Sequence, residues 1–107
     1  MLRELFANQS DGLGTLAAAA RRGVLSQDSC VRNGIRQTRS YEKGFKPTFA
    51  NYRHFALTKR GLVVGFPIYQ VAPGICNRTD TTVPYSALRR YLSPLGARLI
   101  LAVEQSR

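Results

Sequence analysis

Two cysteines, one histidine and an excess of arginine are the residues of this sequence with chemistry to offer. Cys30 and Cys76 are its only cysteines. They are either two reduced thiols or the two halves of one disulfide, and their neighbours Ser29 and Asn77 leave both open. They do not make a zinc site, which takes three or four ligands, usually from paired Cys or His spacings. No Cys-x-x-Cys and no second histidine exist here, so neither a metal nor any other cofactor is expected. His54 is the sole candidate general base, and a small hydrolase built around it is one reading of the chain. No Gly-x-Ser-x-Gly elbow surrounds a serine. The carboxylates Glu4, Asp11, Asp28, Glu42, Asp80 and Glu104 are scattered, with no close pair for glycoside chemistry. Gly12-Leu-Gly14 lacks the Lys-Ser/Thr of a phosphate loop. No catalytic residue is assigned, and the chain is expected not to be an enzyme.

The charge balance points to binding. Sixteen Lys and Arg against six Asp and Glu leave a net charge of +10, and only Lys43, Lys46 and Lys59 are lysines. Guanidinium forks match carboxylates and phosphates in a bidentate way. Such a surface draws anions and does so less at high salt. Arg53, Lys59, Arg60, Arg78, Arg89 and Arg90 form the candidate basic surface of the second half. Aromatics interleave with these bases, a combination found in nucleic-acid grooves. A cytoplasmic nucleic-acid-binding module is therefore the alternative reading, though no RNP motif or zinc finger accompanies it. The plain reading, a solvated basic surface, stands beside both.

A length of 107 residues suits one domain, residues 1–107. Hydrophobic residues at 44% and charged residues at 21% exclude disorder of the whole chain. No run of 18 apolar residues exists to span a membrane, and no leader peptide is visible. Leu2, Leu5 and Phe6 share a helical face. Asp11 is a candidate cap for a second helix, Leu13 to Arg22, with Gly23 as its stop. Residues 26 to 50 show no period and read as a long loop. Tyr52 to Thr58 and Gly61 to Tyr69 read as a hairpin turning at Lys59-Arg60. The second strand is apolar on both faces, which suits cover on both sides. Thr81 to Val83 adds a third strand. Ser86 opens a short helix, Ala87 to Leu92, and Leu95 to Val103 offers a last apolar face at Leu99, Ile100 and Val103. The class is α+β, a short antiparallel meander flanked by helices.

The runs Asn51-Tyr-Arg-His-Phe-Ala-Leu-Thr58, Gly61-Leu-Val-Val64 with Phe66, Tyr69-Gln-Val-Ala-Pro73 and Val83-Pro-Tyr-Ser-Ala-Leu88 carry a family likeness. They resemble the C-terminal domain shared by the anti-sigma factor RsiV and the deacetylase PdaC, most strongly over residues 50–92. The arginine excess suits an actinobacterial member. The resemblance implies export, a place at the cell envelope and a binding or sensing role, with no catalytic activity. In an exported domain the two cysteines pair, so it implies a Cys30–Cys76 disulfide. Tyr69, Gln70, Pro73 and Gly74 become the candidate binding loop, because loops carry recognition. The expected partner is an anionic envelope component or an acidic protein. Lysozyme, which RsiV senses by contact, is a poor fit because basic lysozymes repel a chain of this charge.

Overall fold

The structure, a computed structural model, describes residues 2–106. It is an α+β fold. A 3₁₀ turn at Leu2–Leu5 leads into helix α1 (Gln9–Gln27) and helix α2 (Ser29–Gln37), followed by a 3₁₀ segment at Arg39–Phe45. Strands β1 (Phe55–Thr58), β2 (Gly61–Phe66) and β3 (Thr79–Val83) follow, then 3₁₀ turns at Tyr85–Ala87 and Arg89–Tyr91 and helix α3 (Pro94–Gln105). The strands form one antiparallel sheet in the order β1-β2-β3, with Phe55 opposite Val64 and Val64 opposite Thr81.

Helix α1 starts earlier and ends later than the sequence suggests. Asn8 is its cap, with its side-chain oxygen accepting from the Asp11 backbone N–H at 3.0 Å. Asp11 thus lies inside the first turn, where a carboxylate suits the positive helix end. Gly12, just before the expected helix, and Gly14, within it, are both helical, at roughly 1 kcal/mol each against alanine. Gly12 has a reason to be small: a β-carbon there would lie 2.4 Å from the Phe6 ring. Gly23 is likewise no stop, since the helix runs through it and a β-carbon there would meet the Thr81 hydroxyl at 2.3 Å.

Leu13, Leu16, Ala17, Ala20 and Val24 line the buried side of α1, which packs against β3. Below it lie Leu62, Val64, Phe66 and Val83, all buried. Burying a side chain such as Leu16 contributes about 1.5–3 kcal/mol. Phe66 also meets the rings of Phe45 and Tyr52 edge-on, at 5.1 and 5.7 Å between centroids. The buried Tyr52 hydroxyl donates to the Phe45 carbonyl at 2.6 Å.

Residues 26 to 50 are not a structureless loop. Asp28 caps α2 by accepting from the Val31 N–H at 3.1 Å, and Val31 and Gly34 are buried. Strand β2 is covered on one face only: Leu62, Val64 and Phe66 are buried, whereas Val63 and Gly65 are half-buried on the open side. It ends at Phe66 because Pro67 has no N–H for the ladder. Gly61, at φ 157°, takes the unusual backbone of the hairpin turn, so Lys59 and Arg60 keep negative φ. Ser86 caps nothing. Residues 85–91 form two 3₁₀ turns after Pro84 in place of the expected helix. Ser93 caps α3, accepting from the Gly96 N–H at 2.9 Å, with Pro94 at the first helical position. Of the face expected on α3, Ile100 is buried, but Leu99 is 41% exposed.

Candidate recognition surface

The connection from β2 to β3, residues 67–78, is held from inside and left apolar outside. The Gln70 amide points inward and donates to the Gly44 carbonyl at 3.0 Å and the Asn51 carbonyl at 2.9 Å. Val71 and Ala72 are buried. Pro73 lies so close to α2 that a β-carbon at Gly34 would be 2.6 Å from its ring. Cys76 is joined to Cys30 of α2, 46 residues away in sequence, with the two α-carbons 5.6 Å apart. Closing a loop of this length stabilises by roughly 4 kcal/mol in the chain-entropy account.

Three large apolar side chains face solvent on this anchored loop. Ile68 is 48% exposed, Tyr69 70% and Ile75 86%. Tyr69 has φ 73°, a left-handed conformation that costs a bulky residue energy and so concentrates at functional positions. Its ring lies over Gly74, where a β-carbon would come within 2.6 Å of it. Of the four expected loop residues, Tyr69 alone presents its side chain outward. Gln70 and Pro73 anchor the loop, and Gly74 makes room for the tyrosine ring. Ile68 and Ile75 carry no sequence signal, because an exposed apolar side chain looks like a buried one until its surroundings are known.

Beside the loop, on the open side of the sheet, is a cleft of about 580 Å³ lined by Arg53, His54, Gly65, Pro67, Ile68 and Arg78. Gly65 provides a floor without a side chain. A hollow of about 210 Å³ adjoins it along the sheet face and shares His54, Gly65 and Arg78 with it. Asp80 lines that hollow and sits opposite Gly65 in the ladder. Arg53 donates from Nη1 to the Ala50 carbonyl at 2.7 Å, which fixes its direction. Neither the His54 ring nor the Arg78 guanidinium has a hydrogen-bond partner among the described residues. The arrangement can hold an anionic group against an apolar ledge.

The six expected basic residues are not one surface. Only Arg53 and Arg78 share the cleft. Lys59 and Arg60 occupy the hairpin tip, at the other end of β1 from His54. Arg89 is paired with Glu104 of α3 at 2.9 Å, and Arg90 lies over the Tyr91 ring at 5.6 Å from its centroid. Spacing along a strand-rich segment does not reveal which end of the sheet each residue reaches.

No helix among the described residues is long and apolar enough to cross a membrane. None of the curated proteins compared with the chain matches it. Among solved structures, a member of the DUF3298 family from Bacteroides fragilis NCTC 9343 superposes with a TM-score of 0.63 at 17% identity. The match covers 99% of this chain and 39% of that one, so it shows the fold and leaves most of the longer protein unmatched. The model of a family described as a protein of unknown function, DUF3298, matches residues 3–86. With most of its length matched, from the first 3₁₀ turn through the whole sheet, the chain belongs to the DUF3298 family.

Proposed function

We propose that this domain is a non-catalytic recognition module of the cell envelope that grips an acidic protein partner. The observation that carries the reading is the pairing of surfaces at one end of the sheet. Ile68, Tyr69 and Ile75 are exposed on a loop pinned by a disulfide, and the cleft beside them holds Arg53, His54 and Arg78. Apolar contact supplies affinity, while the arginines select for negative charge. Export is supported by the disulfide, which persists in oxidising compartments, and by the likeness to the RsiV and PdaC domains.

The test has two arms. Thiols are trapped with an alkylating reagent in the producing cells, and the intact protein is weighed; cysteines that react only after reduction support export. The purified domain is then titrated with synthetic peptides alternating glutamate and leucine, followed by amide chemical shifts. Saturable, salt-weakened shifts should centre on residues 53, 54, 65, 68 and 78 and vanish in R53Q/R78Q. Free thiols together with oligonucleotide binding that outcompetes the peptide would replace this reading with the nucleic-acid one. Hydrolysis abolished by His54→Ala would replace it with the enzyme.

A further inference from the structure

A second basic pocket lies away from the recognition surface and shares no lining residue with it. Its volume is about 220 Å³, and Arg21, Ile35, Arg36, Arg39 and Glu42 line it. Three elements build it: α1 supplies Arg21, α2 supplies Ile35 and Arg36, and the following 3₁₀ segment supplies Arg39 and Glu42. The chain turns at Thr38, whose N–H bonds to the Gly34 carbonyl at 2.8 Å, and this brings Arg36 and Arg39 to one mouth.

Glu42 engages only one of the three guanidiniums. Arg21 donates to it in a fork, from Nε at 2.9 Å and from Nη2 at 2.8 Å. That bond holds the Arg21 guanidinium charged and fixes its plane. Arg36 and Arg39 are exposed and have no ion-pair or hydrogen-bond partner among the described residues. Three arginines and one glutamate leave two positive charges in the pocket. The C-terminal end of α2 offsets about half a charge. The remainder matches a phosphate monoester, which carries about −1.5 to −2 at neutral pH and offers several acceptor oxygens to guanidinium forks.

We propose that this pocket binds a phosphate monoester, with Arg36 and Arg39 donating to its oxygens and Arg21, oriented by Glu42, completing the cradle. A soluble or polymer-borne phosphate and a lipid headgroup share that chemistry, so the experiment carries both.

The intact domain is titrated with glycerol 3-phosphate, with a dimethyl phosphate control, and with vesicles containing phosphatidic acid, all at one ionic strength. Saturable binding should favour the monoester over the diester by about tenfold. R36Q/R39Q should abolish it, whereas K59Q/R60Q, an equal loss of charge at the hairpin tip, should leave it unchanged. E42Q should strengthen it more than D11N, because it removes a negative charge at the pocket itself while the amide oxygen can still accept from Arg21. Binding of glycerol 3-phosphate identifies a soluble or polymer-borne ligand; binding of vesicles alone identifies a headgroup. No saturable binding in either arm would overturn the proposal. So would equal losses in the two double variants, which would reduce the effect to net charge.

Discussion

Tyr52 shows how much one side chain can fix. Its ring fills the space beside Phe66, and its hydroxyl closes a buried hydrogen bond to the chain seven residues earlier. Burial pushes the Tyr52 phenol well above its usual range, and Tyr85, whose hydroxyl donates to the Thr58 carbonyl, moves in the same direction for the same first cause. A raised folded value means the native state holds its proton longer than the unfolded chain does. The stabilisation is therefore complete below about pH 10, the ordinary tyrosine value, and is lost as pH rises from there through the folded value. Chemical denaturation across pH 8 to 12 should show a flat stability that falls above about pH 10 by up to roughly 1.4 kcal/mol per unit for each tyrosine. Tyr52→Phe should be less stable at neutral pH by about 1 kcal/mol and fall less steeply; an unchanged alkaline slope would refute the assignment. The sequence marks Tyr52 as the aromatic start of a strand. Its burial is invisible there, because it lies three residues before β1 and is held by a 3₁₀ segment with no hydrophobic period.

Elements were legible where apolar periodicity agreed with the local punctuation. The hairpin follows from alternation around the Lys59-Arg60 turn, and the last helix from the apolar spacing of Leu99, Ile100 and Val103. Helix α1 is recognisable but reads short: Gly14 falls inside it, whereas Gly12 and Gly23 look like breakers in the sequence and act as close contacts in space. Helix α2 is hard to see in the sequence, because nine residues with only Val31 and Ile35 four apart make a weak pattern; the Asp28 cap is its readable signal. These glycines divide into two kinds. Gly14 has nothing within 4 Å of an added β-carbon, whereas one at Gly44 would lie 2.0 Å from the Gln70 carbonyl oxygen. Gly14→Ala should stabilise by about 0.5–1 kcal/mol through lower unfolded-chain entropy and better helix propensity. Gly44→Ala should destabilise by about 3 kcal/mol, because backbone must move. Thermal and urea denaturation of the two variants would separate these signs, and a stable Gly44→Ala protein would mean the 3₁₀ segment yields easily.

At the scale of the molecule, stability depends on joining segments far apart in sequence. The Cys30–Cys76 bond ties α2 to the 67–78 loop, and replacing both cysteines with serine should remove about 4 kcal/mol, a large part of the 5–15 kcal/mol of a typical domain. Denaturation midpoints of the variant and of the reduced parent should coincide; a midpoint equal to the oxidised parent would show the loop held by Gln70 and Pro73 alone. The 67–78 connection is legible as a loop between two strands, and the Cys30–Cys76 bond follows only once the family likeness implies an exported domain. The grouping of Arg53 with Arg78, and of Arg21 with Arg36 and Arg39, depends on tertiary turns that no spacing reports. The longest joins lie at the two ends of the fold. Phe6 bridges Leu92, the Ala7 N–H bonds to the Tyr91 carbonyl, and Ser93 bonds back to Leu5 and Glu4. A ribosome emits residues 4–7 long before their partners at 91–93 exist. Contacts of such separation form late and slow folding, so a growing chain cannot tie down residues 4–7 until residues 91–93 have been made.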